Sequence, residues 1–468
     1  MQLWEHSATE LAAQIKVKQV SSREVIDAHL ARIEQVNPHL NAVVVVMAQA
    51  ARVAADRADF ATMSGAELPA LHGVPFTVKE NLDVAGMATT SGLIALKDAV
   101  AAIDCPIVER MRAAGAIPIG RTNLPDLGLR IHTDSSLHGL TRNPWHPNRT
   151  AGGSSGGEAS AIASGMSPLG LGNDIGGSLR NPAHCCGIAS LKPTTNRLPM
   201  ATVIPPQYPV MSSQVMLADG PMARRVADLR LALSIMAGPH ARDPYVVPSP
   251  LSYPDTHSRV KVAVMAEPAG GTTDAGIAGV IRNSAAILSD AGYDVTEIDP
   301  PMFLESLLAW SGTLGADLEA QRPLLELVLG PDALAFVNNG NTIFAYPTVE
   351  SISALHSTRH EIAQAWSAFM DIYPIILAPV WTEPAFEHGW DIASVENTIA
   401  TLQLFRPILP ANVLGLPAAV VPGGLANGMP VGVQIIARRF RDDQALAVAE
   451  AIENSVGIIT PIDPLVEA

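Results

Sequence analysis

Apolar positions recur along this chain with two alternating spacings, one typical of strands and one typical of helices. Short apolar runs predict strands at residues 43–47, 74–79, 117–120, 169–172, 260–265, 375–379, 418–421 and 431–436. Helical spacing occurs between them, near residues 105–115, 156–165, 222–237, 274–291, 350–371 and 441–454. This alternation predicts an α/β fold in which a large mixed β-sheet forms the core and α-helices surround it.

Two capping boxes mark helix starts near the N-terminus. Ser7 is followed three residues later by Glu10, and Ser21 by Glu24, which fits the Ser-x-x-Glu pattern that satisfies free amides in a first helical turn. Apolar residues then share one face of the second helix, and Pro38 is expected to follow its end.

The composition favours one large domain. Of 468 residues, 48% are hydrophobic and 16% are charged, and no change of composition divides the chain. Residues 1–468 are therefore interpreted as a single domain, in which the Pro-rich stretch 240–254 is a linker or a surface loop. The formal net charge of -15 argues against a nucleic-acid partner, because phosphate contacts need clustered Lys and Arg.

The cysteines and the apolar runs indicate the compartment. Cys105, Cys185 and Cys186 are too few for a disulfide framework and suit a reducing environment. The first residues lack the pattern of a secretory signal, and no uncharged apolar run reaches the roughly 18 residues of a membrane-spanning helix. A cytoplasmic protein without a membrane partner is expected.

Glycine and serine concentrate in two clusters, residues 152–157 and 176–178, where the backbone can approach a ligand closely. Flexible turns are one interpretation, but a helical pattern follows the first cluster at once, and a short helical turn is expected after the second. A phosphate cradle is a second, but no P-loop lysine follows either cluster. In the third, Ser154 is the nucleophile of a Gly-x-Ser-x-Gly elbow. That elbow needs a preceding strand, and residues 143–150, NPWHPNRT, are not expected to form one.

The stretch AGGSSGGEASAIASG…LGLGNDIGGSLRNPAHCCGIASLKPT resembles the signature of the amidase signature family. GVPFTVKENLDVAGMATTSG upstream, and LPANVLGLPAAVVPGG…GMPVGVQIIA downstream, resemble further segments of that family in the same order. The similarity extends from about residue 7 to residue 455. It implies the amidase signature fold and hydrolysis of an amide-type bond (amide, anilide or carbamate) without a metal or a cofactor.

The resemblance also implies a catalytic triad of Lys79, Ser154 and Ser178, which match the family's lysine, first serine and second serine. Ser178 would attack the carbonyl carbon and form an acyl-enzyme. Ser154, which follows a cis peptide bond in the family, would pass the proton to Lys79. Burial on an apolar strand would lower the pKa of Lys79 and let it act as a base. Glu80 is expected to point away, because neighbouring strand residues face opposite sides.

Several residues near the triad have implied roles. The oxyanion would be bound by four consecutive backbone amides, those of Ile175, Gly176, Gly177 and Ser178. Ser155 is expected to add a hydrogen bond to the proton relay, and Gly128 matches a position that lines the acyl pocket in relatives. Asp174 and Arg180 are interpreted as structural. Asn173 stands where the family commonly has Thr or Ser, and it is expected to alter the pocket's shape.

The variable segments, about residues 198–214 and 300–400, are expected to cover the substrate. Their candidate pocket or lid residues are Tyr208, Met211, Trp310, Phe344, Trp381 and Trp390. The expected partner is a small to medium, hydrophobic amide, and a homodimer is left open. The alternative function is that of the A subunit of a glutamyl-tRNA amidotransferase, which releases ammonia from glutamine.

One histidine pair needs separate consideration. His356 and His360 lie four residues apart on a helical pattern, but a zincin requires Glu directly after the first histidine, where Ser357 stands. The pair is therefore interpreted as a surface feature, and no metal site is expected.

Overall fold

The structure is a computed structural model that describes residues 2–253, 259–341 and 348–465. The strands in these residues are β1 (Val43–Val46), β2 (Pro75–Lys79), β3 (Ile117–Thr122), β4 (Asp134–Ser135), β5 (Gly139–Leu140), β6 (Arg142–Asn143), β7 (His146–Thr150), β8 (Leu169–Asp174), β9 (Ala189–Lys192), β10 (Ala218–Ala223), β11 (Lys261–Val264), β12 (Asp294–Glu297), β13 (Ile375–Pro379), β14 (Ala418–Ala426) and β15 (Met429–Ala437).

The α-helices in the same ranges lie between and around these strands. They are α1 (Ala8–Lys16), α2 (Ser22–Leu40), α3 (Ala48–Ser64), α4 (Pro106–Ala113), α5 (Gly156–Ala163), α6 (Arg180–Cys186), α7 (Met211–Met216), α8 (Val226–Met236), α9 (Ala275–Asp290), α10 (Phe303–Ala320), α11 (Arg322–Val328), α12 (Pro331–Asn341), α13 (Val349–Ile372), α14 (Val395–Leu404), α15 (Leu409–Val413) and α16 (Asp442–Val456).

One mixed sheet contains eleven of the described strands, in the order β1-β3-β2-β8-β10-β9-β14-β15-β13-β11-β12. The neighbours β3, β2 and β8 are parallel, as are β13, β11 and β12. Antiparallel pairs join these two groups through β10, β9, β14 and β15. The predicted α/β fold with a large mixed sheet is confirmed.

The sheet is buried on both faces. Along β13, Ile375 and Leu377 pack into one apolar cluster, whereas Ile376 packs into another. The same alternation occurs in β14, where Val421 belongs to the first cluster and Val420 to the second. Because successive strand residues point to opposite faces, the two clusters lie on opposite sides of the sheet. Burial on both sides explains why the central strands read as continuous apolar runs.

All eight predicted strands are present, with their ends shifted by up to five residues. Three strands of the large sheet were missed, namely β9, β10 and β12. The sequence of β10, ADGPMA, contains Asp, Gly and Pro, which are depleted in strands, so its pairing with β8 and β9 outweighs its weak propensity. The strand β12 is exposed at the sheet's edge and has only a weak apolar pattern. The sequence patterns also missed the helices α3, α7, α10, α11, α12, α14 and α15.

Two local predictions were wrong. Residues 143–150 were not expected to form a strand, yet β7 covers His146–Thr150 and pairs with β6 in a two-stranded ribbon outside the large sheet. Pro38 was expected beyond the second helix, but α2 runs to Leu40 and includes it. Pro38 has no N–H to bond to the carbonyl of Glu34, so the last turn of α2 forms without that hydrogen bond. Both predicted capping boxes, at Ser7 and Ser21, are confirmed.

The structure describes two features on which the predicted compartment was based, namely the apolar character of the helices and the state of the cysteines. Within those residues, no helix combines the length and apolar character needed to cross a bilayer. The thiols of Cys105, Cys185 and Cys186 are free and buried.

The parallel pairing of β2 with β8 positions two candidate catalytic segments. Thr77 lies opposite Gly170 and Val78 opposite Leu171, so both strands run toward the same edge of the sheet. Lys79 is the last residue of β2, and the segment that contains Ser178 begins after Asp174, the last residue of β8. The carboxyl ends of the two strands therefore bring these segments together.

A buried ion pair between Arg130 and Asp391 holds the segment that follows β3 and contains Gly128. Arg130 and Asp391 are both fully buried, and the guanidinium donates two hydrogen bonds of 2.9 Å to the carboxylate. Arg130 lies two residues after Gly128, whereas Asp391 lies in the connection between β13 and α14. The pair therefore joins the segment after Gly128 to the connection between β13 and α14.

Replacing Asp391→Ala is expected to lower the free energy of unfolding by about 3–5 kcal/mol, because it leaves a buried guanidinium without its main partner. The matched control is Glu450→Ala, which breaks the 2.9 Å pair with Arg230, where both side chains are more than 40% exposed. That variant is expected to lose less than about 1 kcal/mol. Denaturant titration of both variants measures the difference, and equal losses would contradict the proposed role of burial.

Candidate active site

Lys79 is fully buried and has two polar side-chain partners. Its Nζ donates to Ser154 Oγ at 2.7 Å and to Asn173 Oδ1 at 2.8 Å. Burial lowers the pKa of Lys79 to about 7, although the carboxylates of Asp174, Asp219 and Glu158 oppose this shift. A lysine with such a pKa is substantially neutral at physiological pH and is then able to accept a proton.

Ser154 lies in the loop of residues 151–155, here called the serine loop, which connects β7 to α5. Its side chain is 2% exposed, and the peptide bond between Gly153 and Ser154 is cis. Gly128 lies beside it with a φ of 71°, and a Cβ built at Gly128 would be 3.0 Å from Ser154 Oγ. A side chain at residue 128 would therefore both strain the backbone and crowd this hydroxyl.

Ser178 lies in the loop of residues 175–178, here called the oxyanion loop, between β8 and α6. The Asp174 carboxylate accepts hydrogen bonds from the amides of Gly177 (2.8 Å) and Leu179 (3.2 Å) and from the Arg180 guanidinium (2.9 Å). Burial alone would raise the pKa of Asp174, but Arg180 outweighs it and holds the pKa below the usual range. Asp174 and Arg180 thus hold the loop's shape, as predicted.

The backbone N–H groups of the oxyanion loop differ in whether they are free to bind a substrate oxygen. The Gly177 N–H is already bound to Asp174, which corrects the expectation that all four amides face a substrate oxygen. Among the described residues, the N–H groups of Ile175, Gly176 and Ser178 have no acceptor. An oxyanion site built here would therefore use those three amides.

Three contacts tie the serine loop and the oxyanion loop together. The backbone N–H of Ser155 donates to the Ser178 carbonyl at 3.2 Å. The Asn181 Nδ2 donates to the carbonyls of Gly153 and Gly176, both at 3.2 Å. The Asn181 amide is itself held by Trp381 Nε1, which donates to Asn181 Oδ1 at 2.8 Å. Movement of one loop relative to the other would break these bonds.

The expected hydrogen bond from Ser155 to the proton relay is absent. Its Oγ is buried and has no partner among the described residues, so the side chain does not join Lys79 or Ser154. Ser155 instead contributes its backbone, through the bond to Ser178. The hydroxyl lies beside Gly172, since a Cβ built at that glycine would be 2.8 Å from Ser155 Oγ.

Two buried carboxyl groups flank Lys79. Glu158 accepts from Thr77 and, at 2.6 Å, from Thr122, and burial raises its pKa to about 7. Burial likewise raises the pKa of Asp219 to about 7, against the effect of Lys79. Lys79 is therefore surrounded by groups whose charges depend on one another near neutral pH. Glu80 points elsewhere, as predicted, and accepts from His138 at 2.8 Å.

Sequence reasoning missed several of these residues. Asn173 was noted only as a departure from a family pattern, and its bond to Lys79 depends on the register between β2 and β8. Asp219 lies opposite Asn173 in β10, a strand that was not predicted. Glu158 did carry a signal, since it is the one charged residue in the apolar helix α5. Asn181 and Trp381 are 200 residues apart in sequence, and no sequence pattern indicated their contact.

The candidate pocket residues are dispersed. Trp310 is 6% exposed and contacts the oxyanion loop, whereas Tyr208 is 87% exposed. Met211 is also exposed, and Trp390 is half-buried. Trp381 is fully buried behind the loop and is part of the core. Phe344 lies outside the described residues. Among the five described members of this set, Trp310 is the one that donates a hydrogen bond to the oxyanion loop itself.

The predicted surface position of the histidine pair is confirmed. His356 and His360 are both exposed on α13. His356 contacts Met211 through Nε2 at 3.1 Å.

Comparison with known proteins identifies close relatives. The Amidase family model matches residues 24–446. Indoleacetamide hydrolase of Bradyrhizobium diazoefficiens is 41% identical, over 98% of this chain and 88% of the relative. An acylamidase of Rhodococcus erythropolis is 33% identical, over 96% of this chain and 94% of the relative. A glutamyl-tRNA(Gln) amidotransferase component of Prochlorococcus marinus is 32% identical, over 96% of this chain and 97% of the relative.

The fold is also similar to solved structures. A bacterial aryl acylamidase of the amidase signature family superposes with a TM-score of 0.82 at 27% identity, covering 98% of this chain and 96% of that chain. A family match over most of the sequence and a relative 41% identical across nearly all of it establish common descent. The chain belongs to the amidase signature family and is an enzyme that hydrolyses carbon–nitrogen amide bonds.

Proposed function

We propose that the chain hydrolyses a small to medium, hydrophobic amide through a Ser–Ser–Lys relay and an acyl-enzyme intermediate. The observation that carries this proposal is the 2.7 Å contact between Lys79 Nζ and Ser154 Oγ in a buried site. Ser154 is connected to the Ser178 loop through the bond from Ser155 N–H to the Ser178 carbonyl. A buried, low-pKa amine that is hydrogen-bonded to a serine hydroxyl is able to draw a proton away from a nearby nucleophile through that hydroxyl.

The chemistry proceeds by proton transfer in both directions. Ser178 Oγ attacks the amide carbon while its proton passes to Ser154 Oγ and the proton of Ser154 passes to Lys79 Nζ. The tetrahedral intermediate collapses when the relay returns a proton to the departing nitrogen, which breaks the carbon–nitrogen bond and leaves the acyl group on Ser178. A water molecule then attacks the ester carbon while the same relay takes its proton. Collapse of this second tetrahedral intermediate breaks the bond to Ser178 Oγ, which regains its proton from the relay, and the carboxylic acid leaves.

The oxyanion loop stabilises the negative oxygen in both steps. The available amides of Ile175, Gly176 and Ser178 donate to it, and removal of one such donor typically raises the barrier by about 3–4 kcal/mol. Gly177 supports them through its bond to Asp174. Gly128 leaves space for the acyl group beside Ser154, since any side chain there would fill it.

The preference for a hydrophobic substrate is supported by the apolar side chains around the loop. Trp310 contacts Gly176, and Phe405 packs edge-on against Trp310 with the ring centroids 5.9 Å apart. The identity to an indoleacetamide hydrolase makes an aryl-substituted primary amide the best first substrate. Release of ammonia from glutamine is the second candidate function, supported by 32% identity to a component of a glutamyl-tRNA(Gln) amidotransferase.

The proposed enzyme is a single catalytic domain that works in the cytoplasm. The eleven-stranded sheet, which includes strands from residue 43 to residue 437, supports one domain, and the three free, buried thiols suit a reducing compartment. Every proposed catalytic group comes from one chain, so a homodimer is compatible with the mechanism without being required by it.

Ser178→Ala is expected to reduce kcat by about 10⁴-fold or more, because the nucleophile is removed while the oxyanion donors stay in place. The control is Ser190→Ala, which removes another buried hydroxyl, one without a partner among the described residues and outside the site. Circular dichroism and thermal melting test the folding of both variants. A folded Ser178→Ala enzyme with ordinary activity would disprove the assignment.

The value of kcat/KM is expected to rise with pH through an apparent pKa near 7 and then level off, because Lys79 is protonated and inactive below its pKa of about 7. Asp219→Asn removes a negative charge that favours charged Lys79, so the inflection should move to lower pH. Rates measured from about pH 5 to pH 9 test both statements. A profile without a rise, or a shift to higher pH in the variant, contradicts the role of Lys79.

A substrate panel distinguishes the two candidate functions. The purified chain is expected to hydrolyse aryl-substituted acetamides with a kcat/KM about 100-fold or more above that for glutamine, because a polar substrate gains little from an apolar wall. Indole-3-acetamide, phenylacetamide, acetanilide, a carbamate and glutamine form the panel, with ammonia or aniline release as the measurement. Hydrolysis of glutamine alone would favour the amidotransferase function.

A further inference from the structure

Trp310 lies on α10, in the segment predicted to cover the substrate, yet its side chain contacts the oxyanion loop. The indole Nε1 donates a hydrogen bond of 2.8 Å to the Ile175 carbonyl oxygen. The ring also covers Gly176, since a Cβ built at that glycine would be 2.6 Å from Trp310 Cζ2. The side chain is 6% exposed and packs edge-on against Phe405, so its position is fixed from both sides.

The hydrogen bond to Ile175 has a consequence for the next residue. The Ile175 carbonyl and the Gly176 N–H belong to one planar trans peptide unit, so they point in opposite directions. A donor that holds the carbonyl on one side therefore directs the N–H to the other side. Glycine offers little resistance to rotation of this unit, so the bond from Trp310 supplies the constraint.

The adjoining peptide unit is held differently. The Gly176 carbonyl accepts from Asn181, and the Gly177 N–H of that unit is bound to Asp174. This second unit is fixed by residues of the signature segment and gives no free amide. The first unit, which carries the available Gly176 N–H, is held by a side chain 135 residues away in sequence.

We propose that Trp310 is a positioning residue that directs the Gly176 N–H toward the oxyanion of the substrate. The proposal rests on the proposed function, in which Ser178 is the nucleophile. A bond accepted by the Ile175 carbonyl also polarises the peptide unit, which makes its N–H a better donor. The helix α10 thus supplies the hydrogen bond that orients this peptide unit of the oxyanion loop.

The test is Trp310→Phe, which keeps an aromatic ring and removes the N–H donor. The matched control is Trp366→Phe on α13, because Trp366 is 1% exposed and its Nε1 has no partner among the described residues. Trp310→Phe is expected to lower kcat by about 10-fold or more, with little change in KM. The loss in kcat should stay below the 10²–10³-fold loss that follows when an oxyanion donor is removed outright. Trp366→Phe should leave kcat within about 2-fold, since no bond is lost.

A second measurement separates positioning from loss of packing. A trifluoromethyl ketone with the substrate's aryl group forms a tetrahedral adduct with Ser178, and the corresponding methyl ketone, which is much less electrophilic, imitates the neutral ground state. Trp310→Phe should weaken the trifluoromethyl ketone by the same factor as kcat and leave the affinity of the methyl ketone nearly unchanged. Equal loss for both ligands, or a kcat no lower than that of Trp366→Phe, would overturn the proposal.

A third variant covers the case in which phenylalanine disturbs the fold. Benzothienylalanine at residue 310 replaces the N–H by sulfur and keeps the shape of the indole, so it should reproduce the loss of kcat at unchanged melting temperature. Normal kcat in that folded variant overturns the proposal. The Ser178→Ala variant distinguishes the two levels: if it retains activity the proposed function fails, and if it is inactive while residue 310 has no effect, only this inference fails.

Discussion

Both side chains of the Asp174–Arg180 ion pair are fully buried, and the shape of the oxyanion loop depends on the hydrogen bonds they make. The carboxylate accepts hydrogen bonds from the amides of Gly177 and Leu179. The guanidinium donates to the carbonyl of Ile408 (2.7 Å) and to the side chain of Gln434 (2.6 Å). Taking two charges out of water costs several kcal/mol for each ion, so the pair is tolerable only because nearly every donor and acceptor is satisfied. The hydrogen bonds that satisfy this ion pair also hold the oxyanion loop in one shape.

The same balance between burial and charge explains the chemistry of Lys79. Burial removes the water that would stabilise an ammonium group and lowers the pKa, whereas three carboxylates raise it again. The result is a pKa of about 7, close to the pH at which an enzyme works. Without the carboxylates the lysine would be neutral but a weak base, and without burial it would be a permanent cation.

Residues of the signature segment do not complete the site by themselves. Trp381 holds Asn181 from beyond β13, and Asn412 of α15 donates to the Asp174 carboxylate at 2.9 Å. Trp310 holds the Ile175 carbonyl from α10. Trp310 and Trp381 both lie in the segment predicted to cover the substrate, so a change in that segment is able to alter both specificity and rate.

The sequence alone determined the α/β class, the eight strands with continuous apolar runs, and the two Gly/Ser clusters. These features are local, because burial on both faces and tight turns leave their mark on neighbouring residues. Family resemblance added Lys79, Ser154 and Ser178. Only the tertiary structure decided that Gly177 is bound to Asp174, that the Ser155 hydroxyl avoids the relay, and that Asn173 contacts Lys79. Each depends on strand register or on contacts between distant segments, and no spacing along the chain encodes such distances.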